Sequence, residues 1–259
     1  LGGVELHQLA PARAKDLSYK VMVDEHGEVV GDRWRQIRCQ QVEDLAAAVK
    51  ADVLLTETYP FGRRRLHAEY EVLMKAARDA RPTVHIACSI RDILEGFPGP
   101  HGRVDLVLER IAKYYDAVLV HADPGLVSLE SSFPDARRLP CSVRYTGYVA
   151  ETTAAADVVG TECPVDGEGV LVSTGGGAVG SRLIEAALLA RARSQLLSNV
   201  PWRILVGHNL DEAQFERFRL GAPDGVIVER NRPDFGTLLS RTQVSVSQVG
   251  YNTVIDLLK

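Results

Sequence analysis

The stretch of residues 169–180, GVLVSTGGGAVG, decides the fold of the C-terminal half of the chain. An apolar run ends in three consecutive glycines, and residues 183–195 beyond them have the periodicity of a helix. Glycines let the backbone turn sharply and approach a ligand closely, and a helix begins with free N–H groups at the positive end of its dipole. The stretch therefore predicts a strand, a phosphate-binding loop and a helix. A tight turn without a ligand is the alternative interpretation.

Similar apolar runs alternate with helical patterns along the whole chain. The helical patterns cover residues 40–50, 66–81, 104–115 and 183–195, and the apolar runs cover residues 53–55, 84–88, 117–120, 170–172, 203–206, 226–228 and 244–247. Short strands separated by helices indicate parallel sheets built from right-handed crossovers. Residues 150–168 have no apolar periodicity and predict a linker. We therefore expect an α/β protein with two Rossmann-like lobes, at 1–149 and 169–259.

Composition limits the classes of function. The 259 residues are 46% hydrophobic and 25% charged, as in ordinary globular proteins, and the net charge of -4 gives no reason to expect nucleic-acid binding. No apolar run approaches the roughly 20 residues of a transmembrane helix. The four cysteines contain no CxxC pair, which argues against a zinc site and favours a reducing, cytoplasmic setting.

The glycine loop also matches the G-x-G-x-x-G pattern of dinucleotide-binding proteins, at Gly175, Gly177 and Gly180. Such a protein needs an acidic residue at the end of the next strand to bind the ribose. That strand ends in residues 206–209, VGHN, which include no acidic side chain. The context counts against NAD, and no cofactor is expected.

A second strand runs into a glycine turn at residues 247–256, SQVGYNTVID. We expect Asn252 or Thr253 to cap the following helix or to contact an anion, and Asp256 to lie one helical turn beyond Asn252. An ordinary helix cap with a solvated Asp256 is the alternative. Two strand–glycine–helix units in one lobe suit a nucleotide diphosphate better than a single phosphate.

The N-terminal lobe has a basic loop after its first apolar run. Residues 56–65, TETYPFGRRR, place Arg63 and Arg64 just beyond a strand, and Arg91 follows a later strand. Adjacent arginines suit a phosphate-bearing or otherwise anionic acceptor. A solvated basic surface is the alternative.

Two carboxylates are candidates for the general base. Glu57 and Asp92 each follow a strand, on the edge where α/β sheets bind ligands. A structural ion pair, such as Asp92 with Arg91, is the alternative role. His85 lies within an apolar run and is expected in the core, whereas His121 ends an apolar run.

The two glycine turns together resemble the C-terminal lobe of the family 28 (MurG-like) glycosyltransferases, which have the two-lobed GT-B fold. Residues 56–64, 89–94, 145–149 and 247–253 are similar to signatures of a bacterial group of predicted glycosyl transferases. Family members begin with a further strand and a loop that supplies acceptor contacts and, in many members, the base. We therefore expect both lobes to be truncated, and the base to be Glu57, Asp92 or a residue of the missing N-terminal segment.

The resemblance implies a set of donor-binding residues, which is Thr174, Gly175, Gly176, Gly177, Arg232, Gly250, Asn252, Thr253 and Asp256. The glycine loop would lie near the diphosphate, and Asp256 takes the place of the acidic residue that binds the donor ribose. Arg232 belongs to the segment that meets the base. Arg63, Arg64 and Arg91 would bind the acceptor.

The function that the resemblance implies is transfer of a hexosyl unit from a nucleotide-diphosphate sugar to an acceptor hydroxyl. UDP and inversion are favoured, no metal is expected, and the acceptor would be anionic or lipid-linked. The protein would work in the cytoplasm, free or peripheral to the inner face of the membrane. A nucleotide-sugar 2-epimerase and a non-catalytic nucleotide-sugar-binding protein are the alternatives.

Overall fold

The computed structural model describes residues 3–14, 21–91, 93–94, 103–149, 169–175 and 180–258. The chain divides into two compact units, Leu1–Val149 and Ala150–Lys259. Each unit contains a parallel sheet of four strands with its own hydrophobic core. This confirms the predicted α/β class. The predicted linker at 150–168 lies outside the described residues.

The first unit begins with a small antiparallel pair, β1 (Arg13–Ala14) and β2 (Met22–Val23), followed by helix α1 (Asp32–Val49). Helix α1 packs against the next helix, α2 (His67–Ala80). Helix α1 begins at Asp32, whereas the sequence pattern predicted a start at residue 40. Residues 32–39 are mostly charged or polar and carry no apolar period, so the sequence pattern missed the first two turns.

The main sheet of this unit has the strand order β3-β4-β5-β6, all parallel. Its strands are β3 (Val53–Glu57), β4 (His85–Arg91), β5 (Ala117–His121) and β6 (Ser142–Tyr145). Helix α3 (Arg103–Tyr114) lies between β4 and β5 in the chain. Sequential strand order with right-handed crossovers places α2 and α3 on one face, where Ile86 and Val118 pack with Met74.

Strand β6 was not predicted from the sequence. Its four residues, SVRY, alternate between exposed and half-buried positions at the edge of the sheet, so they form no continuous apolar run. The prediction that His85 lies in the core is also wrong. His85 begins β4, and its side chain is 58% exposed at the amino end of the sheet.

The second unit has the strand order β10-β7-β8-β9, again all parallel. Its strands are β7 (Val170–Ser173), β8 (Trp202–Val206), β9 (Val226–Arg230) and β10 (Val244–Ser247). Its helices are α4 (Ser181–Arg193), α5 (Glu212–Leu220), α6 (Phe235–Ser240) and α7 (Tyr251–Leu257).

The strand order of this unit reverses between β7 and β10. Strands β7, β8 and β9 follow one another across the sheet, and β10 then returns to the far side of β7. Helices α4 and α5 pack on one face through Ile184 and Phe215, whereas α6 packs on the opposite face through Leu238 and Leu239. Open α/β sheets bind ligands at the carboxyl ends of the two strands between which the order reverses, which are β7 and β10 here.

None of the described helices is long and apolar enough to cross a lipid bilayer.

Candidate functional site

The two predicted glycine turns start side by side at the reversal point. Ser173, the last residue of β7, pairs with Ser247, the last residue of β10. The chain therefore leaves the sheet at adjacent positions, toward Gly175 in one turn and Gly250 in the other. Gly176 and Gly177 lie outside the described residues, and their predicted contact with a diphosphate stays a prediction.

Thr174 fastens the first turn to the neighbouring strand. Its side chain is buried, and its Oγ1 accepts the Gly207 N–H at 3.2 Å and donates to the Leu205 carbonyl at 3.3 Å. A Cβ on Gly180 would lie 2.5 Å from the Thr174 Cβ, so glycine is required there for packing. The last glycine of the G-x-G-x-x-G pattern therefore has a structural reason that involves no ligand. The Thr174 hydroxyl is engaged by the backbone of β8.

Gly175 has the conformation that favours glycine. Its φ is +65°, and a Cβ built on it would meet no atom of the described residues within 4 Å. The Asn231 side-chain amide donates to the Gly175 carbonyl at 3.3 Å, which connects the turn to the end of β9. The backbone at Gly175 is thus held from one side and open on the other.

The second turn contains a conformation that β-branched residues rarely adopt. Val249 has a φ of +55° and is 70% exposed, and its N–H donates to the Ser247 hydroxyl at 3.1 Å. Gly250 behaves in the opposite way. Its φ of -66° and ψ of 149° suit any residue, and a Cβ there would meet nothing within 4 Å. The fold alone does not require glycine at position 250.

The helix after this turn begins earlier than predicted. Gly250 is the residue that precedes α7, so Asn252 and Thr253 lie within its first turn and the prediction that one of them caps the helix is wrong. Asn252 is exposed, and Thr253 and Asp256 are half-buried. The predicted contact of Asp256 with a ribose stays a prediction.

Arg232 is held by two carboxylates. Its guanidinium donates to both carboxylate oxygens of Asp234, at 2.8 and 2.6 Å, and lies 3.6 Å from Glu229. These hydrogen bonds hold the pKa of Asp234 below its usual value. The geometry gives Arg232 a structural role that is compatible with, but separate from, its predicted position near the donor base.

At the carboxyl edge of the first sheet, Glu57 lies close to two of the arginines that were predicted to bind the acceptor. Its carboxylate lies 3.1 Å from the Arg63 guanidinium and 3.7 Å from that of Arg91. Arg64 follows in an exposed 3-10 turn, Arg64–Leu66. The structure thus brings Glu57, Arg63 and Arg91 together. Asp92, the other candidate base, lies outside the described residues.

The same edge carries a set of hydrogen bonds that the sequence analysis did not single out. The Ser89 hydroxyl lies 2.6 Å from His121 Nε2, and His121 Nδ1 lies 2.7 Å from the Thr146 hydroxyl. Burial, followed by the nearby Arg91 guanidinium, lowers the pKa of His121. In the sequence, this set is marked only by a polar residue at or near the end of each of three successive strands. The strand before Thr146 was not predicted.

The described residues include no group of three or more His, Cys, Asp or Glu side chains that is placed to hold a metal ion. Cys39, Cys88 and Cys141 carry free thiols.

Comparison with known proteins supports the fold. No protein-family model matches the chain, and neither does any curated protein. Similar solved structures include a Listeria monocytogenes protein assigned as a UDP-N-acetylglucosamine 2-epimerase, with a TM-score of 0.55 and 13% identity over 85% of this chain and 57% of that one. Phytolacca americana UGT2, complexed with UDP-2fluoro-glucose and pterostilbene, gives a TM-score of 0.51 and 12% identity over 87% of this chain and 59% of that one. S. aureus MnaA, solved with UDP, gives a TM-score of 0.50 and 12% identity over 84% of this chain and 57% of that one.

The chain therefore spans less than two thirds of the length of these structures. At such identities the likeness shows the fold, and it confirms the predicted fold class of Rossmann-like α/β units. The closer resemblance to family 28 stays a prediction.

Proposed function

We propose that this protein transfers a hexosyl unit from a nucleotide-diphosphate sugar to an acceptor hydroxyl. The observation that carries the proposal is the reversal of strand order between β7 and β10, which starts both glycine turns at one edge of the second sheet. Open α/β sheets bind nucleotides at such a point. A ligand with two linked phosphates suits two adjacent turns better than a single phosphate does.

The space over both turns supports this assignment. Among the described residues, no atom lies within 4 Å of a Cβ built on Gly175 or on Gly250, although the two glycines have different backbone conformations. Gly175 needs its left-handed φ, whereas Gly250 has no conformational reason to be glycine. Close approach of a ligand supplies that reason.

UDP is the proposed nucleotide. The similar structures include one solved with UDP and one with a UDP-sugar analogue, and the family resemblance favours the same nucleotide. We propose that the leaving diphosphate is stabilised without a metal. Backbone N–H groups of the glycine turns and the positive end of the α4 dipole would neutralise its developing charge.

The acceptor is proposed to bind at the carboxyl edge of the first sheet. Arg63 and Arg91 flank Glu57 there, and Arg64 is exposed beside them. The guanidinium groups at this edge favour an acceptor that carries a phosphate or carboxylate.

Substitution of Gly250 tests the donor site. In Gly250→Val the backbone conformation is allowed and the new side chain points into open space, so the fold should survive. UDP affinity, measured by calorimetry and by the UDP-induced rise in melting temperature, should fall at least about tenfold, or 1.4 kcal/mol.

The matched control is Gly31→Val, because Gly31 also has an extended conformation with nothing within 4 Å of its Cβ. Unchanged UDP affinity in folded Gly250→Val, or an equal loss in Gly31→Val, would remove the second turn from the donor site. Absence of any UDP binding by the unmodified protein would refute the proposed function.

A 2-epimerase is the second candidate function, because a protein assigned to that activity has a similar fold. The two are separated by incubating the protein with UDP-N-acetylglucosamine alone. An epimerase converts it to the C2 epimer without any acceptor, whereas a transferase releases UDP only as water or an added hydroxyl compound takes up the sugar.

A further inference from the structure

The proton that the acceptor hydroxyl loses needs a base, and the structure describes one of the two carboxylates predicted for that role, Glu57. Both oxygens of Glu57 face guanidinium groups, one of Arg63 and one of Arg91. The acceptor hydroxyl would therefore have to share the Glu57 carboxylate with two guanidinium groups. Asp92 lies outside the described residues. Ser89 and His121 lie at the same edge of the sheet, and the direction of their hydrogen bonds leaves His121 able to accept a proton.

That polarity follows from the hydrogen bonds of Thr146. Its hydroxyl lies 3.0 Å from the Gly147 carbonyl and 3.4 Å from the Val120 carbonyl, and carbonyls only accept. The single hydroxyl proton therefore goes to a carbonyl, and the oxygen accepts from His121 Nδ1–H at 2.7 Å. A neutral imidazole carries one N–H, so Nε2 holds a lone pair and accepts the Ser89 hydroxyl proton at 2.6 Å.

The arrangement of a hydroxyl, a base and a third group that orients the base is the one that activates hydroxyl groups in enzymes. Thr146 is uncharged here, so it fixes the ring without adding a negative charge beside it. Arg91 is the direct neighbour of His121 in the register of β4 and β5, and Asp123, two residues beyond His121, accepts the Gly125 N–H in its own turn. Burial and the Arg91 charge both lower the pKa of His121, and a lower pKa favours the neutral imidazole.

We propose that Ser89 and His121 together accept the proton of the acceptor hydroxyl, with Thr146 as the positioning residue. This inference rests on the proposed function. The acceptor hydroxyl donates to the oxygen Oγ of Ser89, a residue that is 8% exposed.

The acceptor oxygen forms a bond to the anomeric carbon while the bond from that carbon to the diphosphate oxygen breaks, and the diphosphate leaves with the electron pair. The acceptor proton moves to Ser89 Oγ as the Ser89 proton moves to His121 Nε2. The resulting imidazolium returns its proton to water after the products leave.

The first test reads the tautomer of His121 by nitrogen-15 NMR of the imidazole, without any ligand. A protonated Nδ1 and an unprotonated Nε2 at neutral pH are expected, and Ser89→Ala should weaken that preference. A predominant Nε2–H tautomer would overturn the proposal, because Nε2 would then have no lone pair for the proton.

The second test measures UDP release from UDP-glucose and UDP-N-acetylglucosamine across pH, with water and glycerol as acceptors. His121→Gln should lower kcat about a hundredfold or more, the usual worth of a general base, and leave the donor KM unchanged. It should also abolish the fall in rate at low pH, where His121 becomes protonated. Ser89→Ala, a smaller change that keeps the ring, should lower kcat in the same direction.

His85→Gln is the matched control, because His85 lies at the opposite end of β4 and its side chain is 58% exposed. Full kcat in His121→Gln, or equal losses in His85→Gln, would overturn the proposal. UDP binding without any turnover of the UDP-sugars by the unmodified protein would also overturn the proposal, although it would still support the donor site. Failure to bind UDP would instead refute the proposed function, while the tautomer measurement would still decide whether the pair has the proposed polarity.

Discussion

Removing the Thr174 hydroxyl should show whether the glycine turn depends on the attachment of β7 to β8. Thr174→Val keeps the shape of the side chain but deletes the acceptor of the Gly207 N–H and one donor to the Leu205 carbonyl. The Leu205 carbonyl keeps the backbone N–H of Thr174, at 3.2 Å. The Gly207 N–H, in contrast, loses its acceptor in a buried position.

The expected cost follows from this asymmetry. A buried donor left without a partner costs about 1–3 kcal/mol, whereas a lost donor to a carbonyl that keeps another bond costs less. The second unit should therefore lose about 1–3 kcal/mol of unfolding free energy. Its melting temperature should fall by about 4–8 °C for each kcal/mol, the usual scale for a domain of this size.

Thermal unfolding and amide hydrogen exchange check the prediction. Thr174→Ser retains the hydroxyl and should recover most of the stability, and the Gly207 amide should exchange slowly in the wild type and quickly in Thr174→Val. Thr242→Val is a control in the same unit, because the Thr242 hydroxyl only donates to the Leu238 carbonyl, which also accepts the Arg241 N–H. If Thr174→Val is as stable as Thr174→Ser and Gly207 stays protected, the attachment has no energetic role.

Two further predictions concern charged groups of the second unit. Asp256→Asn should weaken UDP binding by about 1.5–3 kcal/mol if the carboxylate accepts the ribose hydroxyls, and should affect a 2′,3′-dideoxy nucleotide much less; calorimetry with both nucleotides decides, and equal losses would mean an indirect role. Arg232→Met should lower the unfolding free energy by about 1.5–3 kcal/mol at neutral pH, because Asp234 loses its charged hydrogen bonds. The pKa of Asp234 is depressed in the folded protein, so this difference is present above the unfolded pKa of about 3.9 and disappears as the pH falls through the lower folded value. A difference that persists unchanged below pH 3 in denaturant titrations would contradict that attribution.

Elements with a local sequence signal were predicted most accurately. The apolar run and the glycines of residues 169–180 predicted the strand β7, and the helix α4 begins directly after them. The apolar run of a strand and the apolar period of a helix each extend over only a few residues, so a short stretch of sequence is enough to reveal them. The start of α1 and the whole of β6 were not predicted, because the residues of the first are mostly charged or polar and those of the second alternate between exposed and half-buried positions.

The candidate site depended on contacts that are distant in the chain. Ser89 and His121 are 32 residues apart, and only the pairing of β4 with β5 brings their side chains within 2.6 Å. The sequence placed Thr174 near a ligand, but it did not reveal that β8 engages the Thr174 hydroxyl. Local pattern identifies the residue types at the ends of strands, whereas the partner of each side chain is set by which strands lie next to each other.

The sequence by itself determined the α/β class, the parallel strands of both units and the two glycine turns, because hydrophobic periodicity and the conformational freedom of glycine act over short spans of chain. The tertiary structure alone decided that β10 returns to the side of β7, that Gly250 lies open without any conformational need for glycine, and that His121 is fixed between Ser89 and Thr146. Strand order depends on which face of the sheet each helix covers. That choice depends on packing between segments that are distant in the chain, so the spacing of residues along the sequence does not reveal it.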